Sequence, residues 1–164
     1  MDRIIGQIIY IAIGLLAVAA VVVGGGEAYA SYKASHAVEL INALMTNARS
    51  GFAQSSNGYT NFTTANETAM ISAGTIPKGL VRNSAAYDPW GTSMTFSSAN
   101  NATEGVIGFG GNETVSQCVK IVLGLADYES LSVGGTDFTS SNEPDTITAQ
   151  EACSSSTSMT VTFQ

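Results

Sequence analysis

Residues 4–23 read IIGQIIYIAIGLLAVAAVVV, a run without a single charge in which Gln7 is the only strongly polar side chain. At a helical rise of ~1.5 Å per residue the run spans ~30 Å, close to the hydrocarbon thickness of a bilayer. A helix at a water-facing surface carries one apolar stripe, whereas this one is apolar on every side. Such a rod belongs in lipid or in the middle of a protein assembly. Everything after it is polar and rich in Gly, Ser, Thr and Asn, and reads as an extracytoplasmic domain carried by that helix.

Immediately downstream come Gly24, Gly25 and Gly26, then GEAYASYKASHAVELINALMTNARSGF. There Ala34, Ala37, Val38, Ile41, Leu44, Met45, Ala48 and Phe52 recur at three- and four-residue spacing, which predicts a second, amphipathic helix. Glu27, Lys33, Glu39, Asn42 and Arg49 fall on its other faces. The two helices run nearly end to end. Each glycine at the joint costs ~1 kcal/mol relative to alanine in a helix interior, so a hinge or unwound stretch is expected at Gly24–Gly26. Small residues within the apolar run, among them Gly6, Ala12, Gly14 and Ala17, let neighbouring helices approach closely. The chain divides into 1–26, a hydrophobic helix; 27–52, the amphipathic half; and 53–164, a globular head.

The net charge of −7 is unevenly placed. Asp2, Glu27 and Glu39 balance Arg3, Lys33 and Arg49 in the first 60 residues, while beyond them only Lys78, Arg82 and Lys120 oppose the remaining acids. An acidic domain repels phosphate backbones, so direct nucleic-acid binding is not expected. Two cysteines, Cys118 and Cys153, follow an export signal, which reads as one disulfide made in an oxidising compartment. The alternative is two unbridged buried thiols.

Three readings of the N-terminal run compete. A cleaved signal is disfavoured although Ala28-Tyr29-Ala30 resembles a cleavage site, because the run is too long and Asp2 offsets Arg3; the segment is expected to stay in the mature molecule. A plain membrane anchor keeps the N-terminus cytoplasmic. The third reading is a helix that starts in the membrane and ends in a polymer.

The third is favoured by a resemblance. The run Ile4–Val23, the segment LMTNARSGF (44–52), AMISAGTIPKGLV (69–81), YDPWG (87–91) and the pair Cys118/Cys153, in that order, make the chain similar to type IV pilins. The finer likeness is to the type IVb group, including pilins of conjugative thin pili. The resemblance agrees with the fold class that the elements along the chain themselves indicate, α+β, with a long N-terminal helix on a small, mostly antiparallel sheet. It implies a structural major subunit that polymerises into an extracellular pilus for conjugation or adhesion, and not an enzyme. Ile4, Ile5, Ile8, Ile9, Ile11, Leu15, Leu16 and Val21 become the assembly helix. Partners implied are copies of the chain, the inner membrane before assembly, a prepilin peptidase and the assembly machinery. Met1 becomes either the processed, methylated terminus or an initiator. Where most pilins carry Glu at the fifth mature position this chain has Ile5, so Asp2 and Gln7 are the groups left to meet the Met1 amine. An unpaired amine in an apolar core is costly. Competing readings are a minor pilin or tip adhesin, a secretion-system pseudopilin (DPWG also occurs there), and a membrane-tethered enzyme.

Along the head, residues 50–68 read as a polar connector with a turn at Asn57-Gly58. ETAMISAG predicts a short helix capped by Asn66 and stopped at Gly74 and Pro77. YDPWG reads as a turn with Gly91 at positive φ, and Trp90 as a core anchor. SMTFSS (93–98) and EGVIGFG (104–110) are expected to be neighbouring strands joined by Ala99-Asn100-Asn101. Asn112 is expected to cap a helix over 113–126 with Val115, Cys118, Val119, Val122 and Leu125 inward. LSVGG is a strand, TDFTSSNEPD an acidic loop, and SMTVTF a final strand that buries Met159, Val161 and Phe163. The second helix is then tied through Cys118 to a C-terminal loop.

Catalytic and metal chemistry finds little material. His36 is the only histidine, the Gly108–Gly111 run lacks a phosphate-loop lysine, and no cofactor is implied. Asp137, Glu143 and Asp145 read as a solvated acidic loop and not a Ca²⁺ site. Asn61, Asn66, Asn101 and Asn112 each open an N-x-Thr sequon.

Overall fold

A computed structural model describes residues 28–164, which fall into two compact units divided between Lys33 and Ala34. The expectations placed on Ile4–Val23, the Gly24–Gly26 joint, and Met1, Asp2 and Gln7 concern residues outside the described ones. Of the first unit, residues 28–33 are helical, and Tyr29 and Tyr32 are both 66% exposed. Among the described residues no helix is long and apolar enough to cross a membrane.

The first helix, α1, is helical over residues 28–48 and widens into a π-helical turn at Arg49–Ala53. Ala34, Ala37, Ile41, Leu44, Met45 and Ala48 are buried, as their spacing predicts. The other helices are α2 (Glu67–Ser72), α3 (Val115–Gly124) and α4 (Thr146–Ser155). A small hairpin joins β1 (Val81–Arg82) to β2 (Ala85–Ala86). The main sheet contains β3 (Thr95–Ala99), β4 (Glu104–Gly110), β5 (Ser130–Val133), β6 (Thr136–Phe138) and β7 (Ser158–Phe163). Its order is β3-β4-β7-β5-β6 and every pairing is antiparallel. The last strand in sequence is therefore the central one. The fold is α+β.

Alternation along the strands sets the inner face. Phe96, Ile107, Phe109, Leu131, Val133, Met159, Val161 and Phe163 all point into the core. At one end of that core five aromatic rings meet. Phe62 lies 5.5 Å from Phe52, 5.9 Å from Tyr59, 5.5 Å from Phe96 and 5.7 Å from Phe163, all edge-on. Such pairs add ~0.5–1.5 kcal/mol each beyond area burial. Gly105 on β4 makes the room: a Cβ there would stand 2.7 Å from the Phe163 ring and 3.0 Å from Tyr59.

This cluster corrects the reading of 50–68 as a polar connector. The segment folds as short 3-10 turns at Gly58–Asn61 and Thr64–Asn66, and its Tyr59 and Phe62 are at the centre of the core. Two aromatics in a polar stretch carry no periodicity, so pattern alone cannot reveal that both face inward.

Three further expectations change. The helix after β4 starts at Val115 and is capped by Thr114, not Asn112: Thr114 Oγ1 accepts from Gln117 N–H (3.3 Å), and Gln117 Oε1 accepts from Thr114 N–H (3.0 Å). That reciprocal box satisfies two donors at once, which Asn112 from outside the turn cannot do. Asn66 does precede α2, but its amide donates to Asn61 O and makes no cap bond. The stretch TDFTSSNEPD is not all loop. Gly134 and Gly135, both at positive φ, close a two-residue hairpin between β5 and β6.

The largest omission is α4. Its buried face is only Ala149, Ala152 and Cys153, side chains too small to make an apolar stripe, while the large apolar Ile147 is exposed. Asp145 caps it, accepting from Ile147 and Thr148 N–H at 2.8 Å each. The disulfide Cys118–Cys153 therefore joins helix to helix, not helix to loop. Trp90 is likewise only partly buried, at the rim of the core, and its indole donates to Gln117 Oε1 at 3.1 Å. Gly91 holds positive φ (89°) as the YDPWG turn requires.

Candidate assembly face

Within the second unit, the docking of α1 residues 34–48 and the turn that follows decides which side chains remain outside. Two glycines let the helix settle. A Cβ at Gly124 would be 3.0 Å from Val38, and one at Gly79 would be 2.9 Å from Leu40. Polar anchors then fix the register. Asn42 Oδ1 accepts from Ala126 N–H at 3.5 Å, and the Asn47 amide donates to Gly74 O and Thr75 O at 3.3 Å each.

Arg49 does most of the tying. Its guanidinium donates to the backbone carbonyls of Gln164 and Asp127 and stacks over the Phe163 ring at 5.4 Å. One cation thus joins α1 to the end of β7 and to the loop after α3. The sequence placed Asn42 and Arg49 on polar faces, yet both turn back to the head. Nothing in their spacing signals this, because the Ala126 N–H and the Gln164 and Asp127 carbonyls they meet come from distant residues.

Outward on 34–53 are Ser35, Glu39, Thr46, Asn47, Ser50, Gly51 and Ala53, and His36 Nδ1 stands 3.5 Å from Glu39 Oε2. The single histidine is therefore a helix-surface partner of a carboxylate. The outer face of the main sheet is uniform in a different way. Registered rows run Ser97–Val106–Thr162–Ser130 and Thr95–Gly108–Thr160–Ser132–Asp137. These are hydroxyls and small residues, and the one charge in either row is Asp137 on the outermost strand.

Two buried carboxylates hold the end of β4. Asp88 Oδ1 accepts from Trp90 N–H (2.9 Å) and Thr92 N–H (2.8 Å), and Oδ2 from Gly110 N–H (3.0 Å). Glu113 Oε2 accepts from Gly111 and Asn112 N–H at 2.9 and 3.0 Å. Its Oε1 is buried with no hydrogen-bond partner among the described residues. Burial pushes the Glu113 carboxyl above its ordinary value and Asp88 adds to this, against the opposing pull of the backbone N–H groups. The aspartate of YDPWG was visible as part of a turn, but its grip on β4 was not.

Open clefts of about 480, 340 and 580 Å³ indent the surface. The first sets Tyr128 beside Glu143 and Asp127, with Thr139 and Ser140 on the same lining. Burial, and then Glu143, push the Tyr128 phenol up. Among the described residues no three His, Cys, Asp or Glu side chains gather as a metal site. Asp145 is the cap of α4, and Asp137 ends an outer row of the sheet. Of the sequons, Asn61, Asn101 and Asn112 are exposed and Asn66 is half-buried. Of the residues singled out for function, the structure unites Cys118 and Cys153; the assembly helix, the N-terminal groups and the glycine hinge lie outside the described residues.

Comparison with known proteins bears directly on this arrangement. Residues 31–164 match the family model described as PilS N terminal. The fold is similar to that of a type IVb pilin from Salmonella typhi, with a TM-score of 0.56 and 15% identity over 77% of this chain and 95% of that one. It is also similar to TcpA, a type IV pilin from Vibrio cholerae El Tor biotype, with a TM-score of 0.51 and 18% identity over 82% and 98%. No curated protein matches the chain.

Proposed function

Because the chain belongs to the PilS N-terminal family of type IV pilin-like proteins and has the type IVb pilin fold, we propose that this pilin subunit is the major, repeating one of its pilus. The family is one of structural proteins and not of enzymes. The observation that carries the proposal is the pairing of a whole-head family match with the uncharged run at 4–23. Burying that run among copies of itself offsets its loss of lipid. Contacts made through different surfaces on each side generate an open helix and not a closed ring. Ile4, Ile5, Ile8, Ile9, Ile11, Leu15, Leu16 and Val21 would form the filament core, with Asp2 or Gln7 meeting the Met1 amine. Before assembly the run would hold the chain in the inner membrane, where a prepilin peptidase and the assembly machinery act on it. The pilus would serve conjugation or adhesion.

Electron microscopy and mass spectrometry of material sheared from cells test this. The expected result is long filaments made almost entirely of this chain. A few copies per filament would make it a minor pilin or tip adhesin, and stubs confined to the envelope would make it a pseudopilin.

A further inference from the structure

A five-stranded open sheet has two edges, and an exposed edge invites another strand. On β3, residues Thr95, Ser97 and Ala99 bond towards β4, so Met94, Phe96 and Ser98 turn their backbone groups outward. The Met94 N–H and both groups of Phe96 are already occupied. Met94 N–H donates to Ala86 O at 3.0 Å. The Thr64 hydroxyl serves both groups of Phe96, accepting from its N–H at 2.8 Å and donating to its C=O at 3.2 Å. One side chain thus takes the place of a neighbouring strand.

The opposite edge is closed in the same manner. Asp137 and Thr139 point outward from β6, and Asn142 folds back on both. Its backbone exchanges hydrogen bonds with Thr139 at 3.0 and 3.1 Å, and its amide donates to Asp137 O at 2.9 Å. Among the described residues, Ser98 and the Met94 C=O on one side and the Asp137 N–H on the other are what remain. Neither edge keeps two consecutive outward residues open, which is the least a docking strand needs to align.

We propose that Thr64 and Asn142 are edge guards that prevent a strand from a second copy adding to the sheet. The inference concerns the head, and stands or falls independently of whether the chain is a major pilin. It separates two modes of polymerisation, strand addition through main-chain hydrogen bonds and helix packing through side chains.

The test uses the full-length chain in detergent micelles, as wild type, Thr64→Val, Asn142→Ala and the double variant. Hydrogen exchange should show the Phe96 amide losing roughly tenfold of its protection in Thr64→Val while Ile107 keeps its own. Thr64→Val and the double variant, which leave Phe96 and Ser98 both open, should bind a labelled peptide copying residues 158–163 and form oligomers in sedimentation, where wild type does neither; Asn142→Ala, which keeps the Thr139–Asn142 backbone pair, should bind none. Thr64→Ser, which retains the hydroxyl, should behave as wild type. Peptide uptake by wild type overturns the proposal without any variant having to fold. So does a folded double variant with an unprotected Phe96 amide that takes up no peptide and stays monomeric.

Discussion

At the scale of single residues, the informative side chains are those whose surroundings disagree with their chemistry. Glu113 is a carboxylate in a buried site with two N–H donors on one oxygen and none on the other. Its pKa in the fold is raised above the ordinary 4.5. A raised acid binds more protons folded than unfolded, so its contribution to stability is present below about 4.5 and is lost as pH rises through the folded value. Glu113→Gln keeps an acceptor for Gly111 and Asn112 and removes the charge. It should raise stability at pH 7 relative to pH 4, as read by denaturant unfolding at the two pH values. Asp145 runs the other way. Its bonds from Thr148 and Ile147 hold its carboxyl below the usual range, so its cap is secure at neutral pH and weakens only as acid is added.

At the scale of elements, the α3–α4 pair shows how covalent and polar devices stand in for a wide apolar interface. α4 buries alanines and a cysteine, so area alone gives it little hold on the molecule. The Cys118–Cys153 bridge, with Cα atoms 5.9 Å apart and a separation of 35 residues, supplies the rest. In the chain-entropy model a loop of that length is worth roughly 3–4 kcal/mol. Replacing both cysteines by serine should lower the thermal midpoint of the head. It should also expose the amides of α4 to hydrogen exchange before those of β7, which is held on both sides by β4 and β5. Simultaneous exchange in α4 and β7 would show that α4 needs no staple.

At the scale of the whole molecule, the proposed polymer asks the chain to bend while its head stays fixed. The head is tied to α1 by Asn42, Asn47 and Arg49 and by the close contacts at Gly79 and Gly124. In that proposal compliance would fall to Gly24–Gly26, three consecutive glycines with weak helical preference. Replacing the three with alanine should stiffen filaments, seen as a longer persistence length in electron micrographs, or block their assembly. Unchanged filament geometry and extensibility would remove the hinge from the account. The acidic balance of the head and its hydroxyl-rich outer sheet suit a surface repeated along a fibre, since neither offers a large apolar patch to neighbouring fibres.

The fold class, the helix face of Ala34 to Phe52, the strands 104–110 and 158–163, and the Gly91 turn were legible from residues alone. Each rests on local periodicity or on a backbone preference that a neighbour along the chain can express. Tyr59 and Phe62 as core, α4 as a helix, Thr114 as the cap, and Arg49, Asp88 and Thr64 as ties were settled only in three dimensions. Each depends on a partner supplied by a distant part of the chain, such as Phe163 for Tyr59, Gly110 for Asp88 or Phe96 for Thr64. A polar side chain in a polar segment looks the same whether it faces water or a backbone group from across the fold. Periodicity records which side of an element is greasy, and only packing brings a lone hydroxyl within reach of the strand edge it closes.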